Sequence, residues 1–193
     1  MTPVQTARNQ TEEAFLDAAE RLLIDVGHAG VTTRSLAQAA DANQGLVHYY
    51  FGSMENLLAR VLERFTDRLI ARQRAMYSAP DVPFIDKWRT AMRYLDADRE
   101  YQKVWFELQA LAWNRPELRE RVAQVDAEWR AVLREALAEP RERYGIDMPL
   151  DALVSLVITF NVGIIQERLS GITTGHAGLI EWTESWLAER DRG

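Results

Sequence analysis

Residues 30–58 read GVTTRSLAQAADANQGLVHYYFGSMENLL. The two ends of this stretch have helical spacing and its middle does not. Leu36, Ala37 and Ala40 recur at three- and four-residue steps, so residues 33–40 are predicted to form a short helix with one apolar face. Thr32 or Thr33 is its predicted cap. A polar break follows at Asp41, Ala42 and Asn43. Residues 44–50 are then predicted to form a second short helix, capped by Asn43. Ser53 opens a long third one, with Leu57, Leu58, Val61, Leu62, Phe65 and Leu69 as its stripe. Helices shorter than about 12 residues are marginal alone in water. Gln44, His48, Tyr49 and Tyr50 therefore sit on a helix that something else must hold.

Two short helices joined by a three-residue turn make a helix-turn-helix. The second helix of such a unit lies in the major groove of DNA, and its first residues meet base edges. The first helix aims its N-terminal N–H groups at a phosphate, where the helix dipole adds attraction. Leu36 and Val47 are the predicted core between the two, and Ala37 and Ala40 let them cross closely. Gln44 carries the donor–acceptor pair that reads adenine. The predicted DNA-contacting set is Thr33, Arg34, Asn43, Gln44, Gly45, His48 and Tyr49. Phe51 is assigned to core, and Tyr50 is left open.

The rest of the chain is also helical in period. The first helix is predicted from Thr11, with Glu12 and Glu13 favouring its positive end, and it stops at Gly27 or Gly30. The segment APDVP, residues 79–83, is the clearest linker, because two prolines so close cannot continue a helix. Helices follow around residues 84–95 and 101–113. Another starts at Pro116 and runs to about residue 137, ended or kinked by Pro140. The last two cover residues 150–170, stopped by Gly171, and 176–190. With no alternating strand pattern and no repeat, the fold class is all-α with about nine helices. A three-helix helix-turn-helix domain over residues 1–52 precedes a larger helical domain over residues 53–193.

The chain has 193 residues, no cysteine and a net charge of −6. Disulfides and thiolate metal sites are excluded, and a general binder of nucleic acid would be basic. Residues 1–52 hold Arg8, Arg21 and Arg34 against Glu12, Glu13, Asp17, Glu20, Asp25 and Asp41, a net of −3. DNA binding must then rely on neutral donors, with the acids turned away. The opening residues MTPVQTARNQTEEAF lack the basic and apolar regions of a secretory leader. The most apolar run is broken by Asp151, Ser155, Thr159 and Asn161, so a soluble cytoplasmic protein without a membrane partner is expected.

At this density of signals, residues 30–58 resemble the DNA-binding signature of the TetR family of bacterial transcriptional regulators. The matching features are Gly30, Val31, Thr33, the Leu36-Ala37 pair, Ala40, the recognition helix from Gly45 to Tyr49, the Tyr50-Phe51 end, and Glu55 with Leu57. Four positions depart from the pattern. Asp41 stands where the turn usually has glycine, Asn43 where serine or threonine is common, His48 where tyrosine is common, and Met54 where a lysine often touches phosphate.

The resemblance implies a homodimer on a palindromic double-stranded operator, with heads about 34–36 Å apart or somewhat more. It implies a repressor released by a small-molecule effector bound in the helical body. Trp88, Met92, Trp105, Gln109, Trp113, Trp129, Phe160 and Asn161 are the expected pocket residues, several rings with few polar anchors. A helix apolar on nearly every face, as residues 150–165 are, needs cover on all sides. Leu153, Val157, Ile164, Trp182 and Trp186 are accordingly the expected dimer contacts, packed as a four-helix interface.

No enzyme is expected. There is no Gly-x-Ser-x-Gly elbow, no phosphate-cradling glycine loop and no paired-histidine metal site, and no cofactor is implied. A helical adaptor that binds only proteins is the alternative. It would account for the apolar final helices but not for the groove-reading motif.

Overall fold

The computed structural model describes residues 3–191, with side chains from residue 9 onward. The described residues form helices and connecting turns only. The helices are α1 (Pro3–Val26), α2 (Thr33–Ala39), α3 (Gly45–Phe51), α4 (Met54–Tyr77), α5 (Phe84–Ala97), α6 (Arg99–Ala112), α7 (Pro116–Arg143), α8 (Leu150–Leu169) and α9 (His176–Asp191). A 3-10 turn, His28–Gly30, links α1 to α2.

The chain divides into two compact units. Unit 1 comprises Met1–Asp67 and Glu100–Val125, and unit 2 comprises Arg68–Arg99 and Asp126–Gly193. Residues 1–52 lie wholly inside unit 1. The core of unit 1 gathers Phe15, Leu16 and Leu23 of α1, Leu36 of α2, Val47 and Phe51 of α3, Leu57, Val61 and Leu62 of α4, and Val104 and Leu108 of α6. Unit 2 has one cluster around Leu133, Leu137, Leu153 and Val154, and another around Ile85, Tyr144 and Leu187.

Two expected boundaries move. The first helix begins at Pro3 rather than Thr11; proline is favoured at a first helical position. Glu12 and Glu13 are not first-turn charges. They are mid-helix partners of α4: Glu12 meets Arg60 at 2.8 Å and Glu13 meets Arg64 at 2.8 Å. Pro140 does not end its helix either, since α7 runs on to Arg143. So near the end of a helix, proline removes one hydrogen bond rather than a whole run. The terminator is Gly145 at φ 61°. Ile146 N–H donates to Arg141 O at 3.0 Å and Gly145 N–H to Glu142 O at 3.1 Å, a Schellman motif. Gly171 ends α8 in the same way, at φ 79°, as the sequence suggested.

The helix α8 is long and apolar enough, by length and composition alone, to cross a membrane. Asp151, Ser155, Thr159 and Asn161 interrupt it without lowering its hydropathy below that needed to span. One side of α8 builds the core of unit 2 through Leu153, Val154 and Ile164. The other side is open. Ala152, Leu156, Thr159 and Gly163, at steps of four, three and four, are all exposed.

The acids of α1 converge on one residue of α4. The guanidinium of Arg64 reaches Glu20 at 2.5 Å, Asp17 at 2.7 Å and Glu13 at 2.8 Å. Partial burial works against its charge, but the bonds to Glu20 and Asp17 outweigh it and raise the arginine above its ordinary range. Hydrogen bonds to charged groups each contribute about 1.5–3 kcal/mol. Arg64→Leu should therefore destabilise the protein by about 1–3 kcal/mol in urea denaturation. In a Glu20→Gln background the same change should cost measurably less. Equal costs in both backgrounds would show that the pair is uncoupled.

Candidate nucleic-acid interface

The first short helix is held by reciprocal caps. Thr32 Oγ1 accepts from Ser35 N–H at 3.0 Å, and Ser35 Oγ accepts from Thr32 N–H at 2.9 Å. Ser35 Oγ–H also donates to Gly30 O at 2.7 Å. Thr32 is thus the cap. Thr33, at the first turn of α2 and half-buried, is left for other work, and Arg34 beside it is exposed.

The turn reverses through Asp41 at φ 49°, in the left-handed region that favours glycine. Ala42 N–H closes it on Ala37 O at 2.9 Å. Asn43 Oδ1 accepts from Gly45 N–H at 2.8 Å and so starts α3. The helix ends at Gly52, φ 73°.

One face of α3 is fixed by packing. Val47 and Phe51 are buried against Leu36 and Phe15, with Phe51 edge-on to Phe15 at 6.3 Å. Tyr50, left open by the sequence, leans on Phe15 at 6.3 Å and belongs with this inner face. The opposite arc carries Gln44, Gly45, His48 and Tyr49, all exposed, with Asn43 exposed just ahead of them. Their spacing puts them side by side on a helix. Tyr49 is 63% exposed, its ring edge-on to Tyr50 at 5.1 Å. His48 Nδ1 lies 3.1 Å from Gly52 O, which fixes the ring. Gly45 has no internal reason to be glycine, because an added Cβ would come no nearer than 3.4 Å, to Asn43 Oδ1. Met54, where a cation was expected, packs against the core of unit 1.

A second grip on this head was not legible in the sequence. Lys103 Nζ of α6 donates to Ile24 O near the end of α1, at 2.6 Å. One turn further along α6, Glu107 Oε2 accepts from His28 N–H at 2.7 Å. Gly27 between them has φ 73°, and an added Cβ would meet Glu107 Oε1 at 3.0 Å. Only the spacing Lys103-x-x-x-Glu107 hinted that one face of α6 carries two charges.

Residues 15–61 match the sequence profile of bacterial regulatory proteins of the tetR family. The match spans the helix-turn-helix and the start of α4. Over 57 residues it is 37% identical to the HTH-type transcriptional regulator BetI of Rhizobium meliloti, a match covering 30% of this chain and 28% of BetI. The TetR fold extends over nearly the whole chain. A putative TetR-family regulator from Rhodococcus sp. superposes with TM-score 0.70 at 21% identity, over 95% of this chain and 97% of that one. The regulator FadR of Bacillus subtilis, solved with stearoyl-CoA, gives 0.73 at 14% identity, over 91% and 96%. The multidrug binding protein EbrR, solved with imidazole, gives 0.64 at 22% identity, over 93% of each chain.

The expected pocket residues divide between the two units. Trp105, Gln109 and Trp113 are in unit 1, where Trp105 stacks on Tyr101 at 6.4 Å and Trp113 is 80% exposed. Trp88, Met92, Trp129, Phe160 and Asn161 are in unit 2 and half-buried. Of the expected dimer contacts, Leu153 and Ile164 are buried inside their own unit, Val157 and Trp186 are half-buried, and Trp182 is 65% exposed. The open face of α8 is instead the one centred on Leu156. When every face of a helix is apolar, sequence carries no phase.

Two measurements check this surface. Gly45→Ala should stabilise the protein by about 0.5–1 kcal/mol, because alanine is the better helix former. It should also weaken operator binding by roughly tenfold or more, about 1.4 kcal/mol. His48→Ala should likewise weaken operator binding by roughly tenfold, about 1.4 kcal/mol; unchanged affinity would remove His48 from the contact set.

Proposed function

We propose that the chain is a cytoplasmic, homodimeric transcriptional regulator. In this reading α3 of each subunit enters a major groove of a palindromic operator, and a small molecule bound in the helical body releases it. The observation that carries the reading is the exposed arc Asn43, Gln44, Gly45, His48 and Tyr49 on a helix whose other face is locked into the core. Thr33 and Arg34 at the start of α2 supply phosphate contacts. Repression follows if the effector favours a spacing of heads that the operator does not fit, a shift between two states of the dimer. The stearoyl-CoA in FadR and the imidazole in EbrR support an effector site in proteins of this fold.

Dimerisation is supported by the open side of α8 and by its neighbour in sequence. Ala152, Leu156, Thr159 and Gly163 form a stripe of small and apolar residues, and α9 exposes Leu179 and Trp182. Small residues allow two helices to approach closely, and one isologous contact would cover the stripe twice.

A gel shift on the DNA flanking its own gene tests the regulator. Specific, salt-sensitive binding is expected, and its absence would favour a protein-binding adaptor. Sedimentation tests the dimer. Leu156→Arg should give folded monomers that bind operator at least tenfold more weakly, whereas Leu153→Ala should lose about 2–4 kcal/mol of stability and remain dimeric. A Leu156→Arg protein that stays dimeric would place the interface elsewhere.

A further inference from the structure

Helix α1 stops at Val26 with its next rung opened. In a continuing helix the carbonyl of Ile24 would accept from the N–H of His28. Here the two groups are parted, and each takes a side chain of α6. Lys103 Nζ donates to Ile24 O at 2.6 Å, and His28 N–H donates to Glu107 Oε2 at 2.7 Å. A cation meets the acceptor and an anion meets the donor, which makes both hydrogen bonds charge-assisted. Lys103 and Glu107 are four residues apart and lie one above the other on α6. Val104 and Leu108, the residue after each, are buried in the core of unit 1, which fixes the face that carries the pair.

The composition of the chain points the same way. Of its 23 basic residues only Lys87 and Lys103 are lysine. Lys87 also donates to the carbonyl at a helix end, Tyr77 O of α4, at 2.6 Å. Lysine offers a compact point donor where arginine brings a planar fork, and the last carbonyls of a helix attract a cation. The residue between the parted groups fits as well. Gly27 turns the backbone at φ 73° beside the Glu107 carboxylate, where a Cβ would crowd both.

From His28 the hydrogen bonds run on into the helix-turn-helix. His28 O accepts from Val31 N–H at 3.0 Å. Gly30 O accepts from Ser35 Oγ–H at 2.7 Å, and Ser35 N–H donates to Thr32 Oγ1 at 3.0 Å. The first turn of α2, with Thr33 and Arg34, is thus tied to α6 through Glu107.

We propose that Lys103 and Glu107 are positioning residues for DNA binding: they replace the next rung of α1 and so fix the direction in which the chain leaves it for α2 and α3. The proposal rests on the dimeric regulator reading above and adds which residues set the pose of each head. Two heads of a dimer must meet half-sites at one separation, so a head held less firmly reads that spacing less strictly.

The test uses the full chain and the palindrome recovered from the DNA flanking its own gene, with versions carrying one base pair more or less at the centre. Affinities are measured at a temperature where circular dichroism shows every variant folded. Wild type should prefer the native spacing by roughly tenfold or more. Lys103→Met keeps the stem and removes the donor, Glu107→Leu removes the acceptor, and Glu107→Gln keeps an oxygen for His28 N–H. Lys103→Met and Glu107→Leu should each weaken binding to the native palindrome by roughly tenfold and cut the spacing preference to about threefold or less, while Glu107→Gln stays within about threefold of wild type in affinity. A merely structural pair would lower the Tm and leave the affinity and spacing preference of the folded protein unchanged. That result, equal losses on all three spacings, or a Glu107→Gln protein as impaired as Glu107→Leu overturns the proposal while the regulator reading stands. A wild type with no specific binding to the palindrome overturns that reading, and the positioning role with it.

Discussion

Arg64 brings Glu13, Asp17 and Glu20 of α1 onto one guanidinium of α4. With Arg60 on Glu12, it turns the acidic side of α1 toward α4. That arrangement resolves a conflict built into the chain, because a DNA-reading head with a net negative charge would otherwise repel its target. The same pairs pin α1 across the start of α4, and α1 supplies Phe15, on which Tyr50 and Phe51 of α3 lean. The pose of the recognition helix thus depends on ion pairs and rings contributed by residues well outside the helix-turn-helix. Lys103 and Glu107 add a second hold at the far end of α1.

What remains for DNA is a surface of neutral donors. Asn43, Gln44 and Tyr49 can hydrogen-bond without contributing charge, and Gly45 can let backbone come close. Met54 has given up the usual cation to packing. Such a head gains little from long-range attraction and more from shape and hydrogen-bond match. In the proposed dimer, avidity from a second head would compensate for weak electrostatic capture.

The helix-turn-helix was legible because its information is local. Caps, the three-residue turn and the apolar steps of Leu36, Val47 and Phe51 all lie within one short stretch, and the structure keeps them. Even the strained turn could be read from Asp41 in a glycine position. Other features were not legible. Glu12 and Glu13 suit a helix start as well as they suit Arg60 and Arg64, and nothing local separates the two roles. Pro140 obeys a rule about helix interiors that weakens in a last turn. On α8 the apolar residues cover every face, so Leu153 and Leu156 look alike until the neighbouring helices choose between them.

In the proposed regulator, a net-acidic helix-turn-helix head reads DNA mainly through neutral contacts. The salt dependence of operator affinity tests it most directly. The logarithm of the binding constant falls with the logarithm of salt concentration by about 0.9 per phosphate neutralised. For the dimer the account predicts specific binding with a slope no steeper than about −4. A slope near −8 to −10, or binding no tighter to operator than to random DNA, would contradict it.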